Sequence, residues 1–401
     1  MSWVKKISLF LTSQAISIFG STLVHFCIIW YITLETRSGV YMMLATLCGF
    51  VPQILVSLFA GVWADRYNKK HLIIAADSLI AISTTIVATL YLLGMEHIWL
   101  LFIVLAVRSF GGGIQAPTVN SLIPEIVPKE NYMRVNGVNT SIQSIVMIVS
   151  PVAAGFLLRT VGLGLILFVD VITAIIGISI LSFVKYIHKQ KETKNAFAQI
   201  KEGIVYTKNN KLISRLIFYS TVFGFLITPL AILTPLLVTR TFGDTALYLT
   251  ANEITFFVGS VLGGALISIW GGFKSKVKTM VLGCILCGIA SMLMGFSTNF
   301  IFYLTFMGLV GVTMAITNTP ALTIMQENIE ESMYGRVFSL LQLITGSVMP
   351  LSMILYGPLA DVIKIQYIII ACGILFTIIS FIVLKDKVMN TVDMEELKAN
   401  A

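Results

Sequence analysis

Twelve stretches of about twenty apolar residues, separated by short polar connections, constrain this chain more than any other feature. They cover residues 7–34, 40–64, 72–93, 98–122, 135–158, 163–184, 212–238, 249–270, 277–296, 300–325, 337–359 and 367–384. At about 1.5 Å per residue, each run is long enough to cross roughly 30 Å of hydrocarbon as an α-helix. The helix is favoured there because it satisfies its own backbone hydrogen bonds in lipid. An all-α membrane protein with twelve transmembrane helices is expected. Charged residues make up only 11% of the chain, against about 25% in an ordinary soluble domain, so polar groups are too few to coat a water-facing surface. Soluble enzymes, disordered regulators and disulfide scaffolds are excluded. The first run is too long for a cleavable signal peptide.

Lysine and arginine set the orientation through the positive-inside rule. With a cytoplasmic N-terminus, the outer connections hold only Arg37, Arg159, Arg240 and Lys364, Arg108 lies inside a run, and the other basic residues fall on the inner side. Both termini are expected in the cytoplasm. The net charge of +8 then reflects contact with an anionic leaflet; it does not imply nucleic acid, because the basic residues are spread over loops that hug the membrane. The longest connection, residues 185–211, carries seven lysines and divides the chain near its middle. Within it Phe197, Ile200, Ile204 and Val205 recur at helical spacing, the pattern of a helix lying in the interface plane.

The two sides of this linker repeat one another. Val138, Gln143 and Pro151 recur as Val337, Gln342 and Pro350 at one constant offset, and Pro117 with Glu125 has its counterpart in Pro320 with Glu327. The expected organisation is a six-helix bundle over residues 1–184, a cytoplasmic linker over 185–211, a second six-helix bundle over 212–384 and a cytoplasmic tail over 385–401. Two pseudo-symmetric six-helix bundles are the plan of a large class of secondary transporters, with the substrate path between the halves.

Charged side chains inside such runs are costly and therefore functional candidates. Arg108 is read as a group that adjusts a nearby acid during proton transfer, with a structural ion pair as the alternative. Asp77 lies about two turns inside the third run, Asp170 within the sixth and Glu253 near the outer end of the eighth. A carboxyl group surrounded by hydrocarbon exchanges a proton as its surroundings change, which coupling to a proton gradient requires. Asp170 and Glu253 are assigned proton or cationic-substrate roles; Asp77 either shares them or braces the loop over 65–70. His25 joins these candidates, with ordinary hydrogen-bonded packing as its alternative. Phe19, Trp30, Tyr31, Phe110 and Phe223 are candidate lining for an apolar substrate cavity.

No enzyme site, metal or cofactor is expected. All five cysteines lie in apolar runs, and Cys284 with Cys287 has C-x-x-C spacing but no further ligand at metal-binding spacing. Residues 271–275 lack the spacing of a phosphate loop, so ATP-driven export would require a separate ATPase as partner.

Gly61-Val62-Trp63-Ala64-Asp65-Arg66-Tyr67-Asn68-Lys69-Lys70 resembles the G-x-x-x-D-R-x-x-[RK]-[RK] loop between helices two and three of the major facilitator superfamily. That resemblance implies that Gly61, Asp65, Arg66, Lys69 and Lys70 form a conformational latch. The second half has Ser268 near where the acid belongs, so a single working latch is expected. Leu105 to Gly113 resembles the family's arginine element on helix four, and Ser150-Pro151-Val152-Ala153-Ala154-Gly155 resembles the proline–glycine element of drug:proton antiporters. In that element Ser150, Pro151 and Gly155 would form a pliable, leak-resistant seam. The whole chain resembles the macrolide-efflux branch of Gram-positive bacteria, through segments such as Gly49-Phe50-Val51-Pro52, Gln143-Ser144-Ile145 and Gly335-Arg336-Val337-Phe338-Ser339-Leu340. The resemblance implies a monomeric proton-coupled antiporter of the bacterial cytoplasmic membrane, exporting amphipathic drugs, macrolides among them, by alternating access. Export of a siderophore or peptide, nutrient uptake by symport, and a non-transporting membrane sensor or assembly partner stay open as alternatives.

Overall fold

A computed structural model describes residues 2–184, 186, 196–330 and 333–390, without the side chains of Asp65 and of residues 196–200. Among the described residues the chain forms fourteen α-helices, one 3-10 turn at Lys129–Asn131 and no strand. The helices are α1 (Trp3–Thr36), α2 (Gly39–Arg66), α3 (Lys69–Leu92), α4 (Ile98–Ile126), α5 (Tyr132–Thr160), α6 (Leu163–Ser182) and α7 (Ala196–Asn209). They continue as α8 (Lys211–Ile232), α9 (Thr234–Thr241), α10 (Ala246–Trp270), α11 (Lys276–Phe296), α12 (Phe300–Asn328), α13 (Tyr334–Val362) and α14 (Ile365–Lys385). Each of the twelve apolar runs is realised as a membrane-length span. The seventh run is split: α8 ends at Ile232 and α9 resumes at Thr234, because Pro235 in the first turn of α9 has no N–H to continue the ladder.

The helices cluster into two compact units. Unit 1 comprises Met1–Thr36, Leu44–Ala196 and Thr245–Thr250; unit 2 comprises Arg37–Met43, Phe197–Asp244 and Ala251–Ala401. In unit 1, α1 packs on α5 and α6, and α3 packs on α4 and α6. Its core at the end bearing the basic loops joins Ile7, Phe10 and Leu11 of α1 to Ile73 of α3, Leu122 and Ile123 of α4 and Leu181 of α6. In unit 2, α11 lies between α12 and α14, and α8 packs on α13 and α14. There α10 and α12 cross at backbone distance: a Cβ on Gly259 would stand 2.1 Å from the carbonyl oxygen of Gly308, so glycine is what permits the approach. Large apolar side chains such as Phe183, Ile269 and Phe302 stay exposed, as a hydrocarbon-facing surface requires.

Residues 37–43, which include the first turn of α2, belong with unit 2. Asp361 near the end of α13 accepts from the backbone N–H of Gly39 (2.6 Å) and Val40 (3.0 Å) and from the Ser38 hydroxyl. It thus satisfies donors that every helix start leaves open. Arg240 of α9 completes the cluster, donating to Asp361 and to the Arg37 carbonyl. Nothing in the sequence reading singled out this acid. Between the sixth and seventh runs lies α7; its Gly203 and Thr207 are buried, and Glu202 pairs with Arg336 of α13. Ile204 and Val205 are exposed, which leaves their apolar surface available to an interface. Phe197 and Ile200 of the same stripe have side chains outside the described residues.

Candidate functional site

One face of α1 is polar. Gln14, Ser17, Ser21 and His25 follow at spacings of three, four and four, which stacks them on one side of a helix. The other helices of unit 1 turn charged groups toward this face. Ser21 donates to Asp170 of α6 at 2.9 Å, and Ser17 lies 3.3 Å from Asp77 of α3. Arg108 of α4 pairs with Asp170 through Nη1 and donates from Nη2 to the Ser21 carbonyl at 2.7 Å. Thr84 of α3, seven residues beyond Asp77, lies within hydrogen-bond distance of both partners of that ion pair. Arg108 is 8% exposed and Asp170 1%, so this is a buried pair whose geometry must offset a large desolvation cost. The guanidinium meets that cost with the carboxylate, a carbonyl and a hydroxyl, which together engage most of its donor fork.

Asp77 has different company. Gln115 of α4 at 2.8 Å and the Ser17 hydroxyl at 3.3 Å both donate to its Oδ1; both are neutral. His25, further along the α1 face, is half-buried, with Gly49 of α2 opposite its ring. Glu253 belongs to unit 2, in a second neutral polar cluster. Its carboxylate lies 3.4 Å from the amide of Asn252, which itself accepts from the hydroxyl of buried Tyr303 at 2.7 Å and faces Thr234. The four unit 1 candidates, Arg108, Asp170, Asp77 and His25, are thus gathered along one helix face, and Glu253 lies in a separate unit. Sequence reasoning missed Ser17, Ser21, Thr84 and Gln115. The α1 spacing was the available signal for the first two; Thr84 and Gln115 each stand seven residues, about two helical turns, beyond Asp77 and Arg108, which was the signal for them.

The latch segment divides into parts. Lys69, the first residue of α3, is 2% exposed and reaches Glu125 at 2.6 Å and the Ser121 carbonyl at 3.1 Å, both on α4. Lys70 caps the end of α6 by donating to the carbonyls of Ser182 and Val184, and Asn68 caps the start of α3. Tyr186, beyond α6, hydrogen-bonds the other oxygen of Glu125; its burial and that carboxylate push the phenol above its ordinary range. Arg66 lies 5.7 Å from the ring centre of Tyr67. The side chain of Asp65 lies outside the described residues. A Cβ at Gly61 would meet no described atom within 4 Å; the tight approach to α2 is made instead by Gly113 of α4 against Gln53 and Val56. Unit 2 repeats the Lys69–Glu125 pair: Lys276, the first residue of α11, pairs with Glu327 near the end of α12 at 2.8 Å.

In the proline–glycine element, Pro151 sits inside α5 and Ser150 is fully buried. A Cβ on Gly155 would stand 1.8 Å from Thr250 Oγ1, and Thr250 lies 3.3 Å from the Pro151 carbonyl. Among the aromatic candidates, Trp30 is enclosed against Phe26 and Phe223 packs on Phe376 with ring centres 4.6 Å apart. Phe19 and Tyr31 are half-buried and Phe110 is exposed. Among the described residues no group of acidic, histidine and cysteine side chains is arranged to hold a metal.

Comparison with known proteins agrees with this architecture. The sequence profile of the Major Facilitator Superfamily matches residues 10–353. The chain is 28% identical over 388 residues to Macrolide efflux protein A of Streptococcus pyogenes, covering 95% of this chain and 96% of that protein. It is 29% identical over 315 residues to Macrolide efflux protein A of Enterococcus faecalis, covering 77% of this chain and 96% of that one. Among solved structures, a bacterial homologue of the human lysosomal transporter Spinster, in an inward-facing unoccupied conformation, superposes with a TM-score of 0.71 at 13% identity, covering 99% of this chain and 98% of that one. With twelve membrane-spanning helices and a profile match over most of its length, this multi-pass membrane protein belongs to the major facilitator superfamily of transporters.

Proposed function

We propose that the chain is a proton-coupled antiporter that exports amphipathic drugs, macrolides among them, across the bacterial cytoplasmic membrane by alternating access. The observation that carries this reading is the polar face of α1, along which three membrane helices place Arg108, Asp170 and Asp77. A packed helical scaffold has no need of such groups, and burying them is unfavourable unless they work on charge. The similarity to macrolide efflux proteins supports the substrate class. In this reading both termini are cytoplasmic, the transporter acts as a monomer, and the protonmotive force drives export without an ATPase partner. Glu253, with its neutral partners, serves unit 2 as the acid that attracts a cationic substrate group. Lys69, Lys70, Asp65 and Arg66 steady the inner ends of the unit 1 helices as one conformation gives way to the other.

The test is drug accumulation in cells with and without the protein, using a radiolabelled macrolide. Expression is expected to lower accumulation, and a protonophore to abolish the difference. A difference insensitive to the protonophore but lost on ATP depletion overturns proton coupling, and increased accumulation on expression overturns export.

A further inference from the structure

We propose that Asp77, and not Asp170, is the side chain that takes up and gives up the coupling proton, while the Arg108–Asp170 pair beside it stays a fixed pair of charges. This rests on the proton-coupled reading above and names the group that performs it.

The two acids differ in what a proton would undo. Asp170 is in contact with Arg108. Protonating it would leave a buried guanidinium without its counter-charge, an outcome strongly disfavoured when one partner of a buried pair is removed. Asp77 is buried at 4% exposure, and its described partners are the Ser17 hydroxyl and the Gln115 amide. Both can serve either form of the acid. They donate to a carboxylate, and after rotation of the hydroxyl or a flip of the amide they accept from a carboxylic acid. The site therefore accommodates the charged and the neutral state with the same side chains.

Among the described residues no other ionised group lies at hydrogen-bond range of Asp77. On α3, Lys69 and Lys70 lie about two turns before Asp77 and are engaged by Glu125 and by the end of α6. On α4, Arg108 and Glu125 flank Gln115 at distances of about two and three turns, each already paired. On α6 the facing acid is Asp170, held by Arg108. On α1 the face carries Gln14, Ser17 and Ser21, with His25 two turns beyond Ser17. Because Arg108 and Asp170 cancel, Asp77 alternates between neutral and charged beside a group whose own net charge does not change.

Gln14 adds an independent observation. It is 1% exposed, lies one turn from Ser17 toward the start of α1, and neither its oxygen nor its nitrogen has a hydrogen-bond partner among the described residues. A buried amide with its capacity unmet is costly, and it keeps the column polar between Asp77 and the inner end. In the step itself, a proton leaves water on the side of entry, bonds to a carboxylate oxygen of Asp77, and returns to water on the opposite side; no other bond changes.

The experiment uses the full-length protein in liposomes, with radiolabelled erythromycin as the probe. For Asp77→Asn, transport driven by a pH gradient is expected to fall at least about tenfold, with exchange of labelled for unlabelled drug at equal pH retained. Asp77→Glu is expected to keep coupling with a shifted pH profile. Infrared spectroscopy supplies a readout independent of transport and of substrate choice: the carbonyl band of protonated carboxylic acid shrinks in Asp77→Asn and is unchanged in the double variant Arg108→Gln, Asp170→Asn, which removes both charges of the pair together. Gradient-driven transport at the wild-type rate in Asp77→Asn, or a band unaltered by that substitution, overturns the assignment. A wild type that exchanges drug but ignores the pH gradient overturns proton coupling itself, which is a different result.

Discussion

Arg108 and Asp170 are two buried charges whose survival in the membrane depends on each other. Either single substitution, Arg108→Gln or Asp170→Asn, is expected to destabilise the protein by about 3–5 kcal/mol, because each leaves an uncompensated buried charge. The double variant is expected to recover most of that loss, as a neutral pair in the same space. Thermal melting of detergent-purified protein checks this, and equal additive losses would show that the two charges do not depend on each other. The candidate site was legible in the sequence where a residue is chemically conspicuous: a cation or acid within twenty apolar residues is visible at once. It was not legible where function depends on rotation about a helix axis. Which acid Arg108 would meet depends on how α4 faces α6, and helical spacing can mark Ser17 and Gln115 without saying that Asp77 stands between them. The same limit applies to aromatics: Trp30 and Phe110 look alike in a string of letters, yet one is enclosed and the other exposed.

At the scale of elements, close approach and capping decide where helices sit. The proline–glycine element of α5 works by size: Gly155 leaves room for Thr250 with nothing to spare. Gly155→Val is expected to cost about 1–3 kcal/mol through overpacking and to reduce transport, and Thr250→Ala in the same chain is expected to restore part of both. An unchanged melting temperature in Gly155→Val would refute the contact. The end of α14 shows an electrostatic tie. Asp386 accepts from the Tyr219 hydroxyl of α8 at 2.7 Å and from the backbone of Val388, with Arg215 nearby. Partial burial opposes ionisation there, but these bonds outweigh it and hold the carboxyl below its usual range. A carboxylate with a lowered folded pKa contributes stability that is present above its unfolded value, about 3.9, and is lost as pH falls through the folded value. Tyr219→Phe should therefore be less stable than wild type at neutral pH, with the gap closing as pH falls below about 4. A gap that stays constant with pH, measured by denaturation across that range, would assign the loss to packing.

For the whole molecule, the number and placement of helices were legible because each run had to satisfy hydrocarbon thickness over its full length. The interruption between α8 and α9 was not, since Pro235 breaks a ladder without making the run any less apolar. Nor was the assignment of residues 37–43 and 245–250 to the unit opposite the rest of their helices, which is a matter of tertiary packing. The internal repeat extends further than matched letters suggested: Lys69 with Glu125 and Lys276 with Glu327 join equivalent helix ends in the two units. Orientation in the membrane remains an argument from charge, and it makes a definite demand. Connections that hold Arg37, Arg159, Arg240 and Lys364 should face outward, and those that hold Lys129, Arg134 and Lys274 should face the cytoplasm. In a variant with all five native cysteines replaced, a single cysteine at exposed Met95 is expected to react with a membrane-impermeant maleimide on intact cells. One at exposed Glu130 is expected to react only after permeabilisation. Labelling in the reverse order would invert the topology. It would also place Lys69, Lys70 and the start of the α1 polar face on the outer side, and the proton would then enter the Asp77 column from the end at which it is expected to leave.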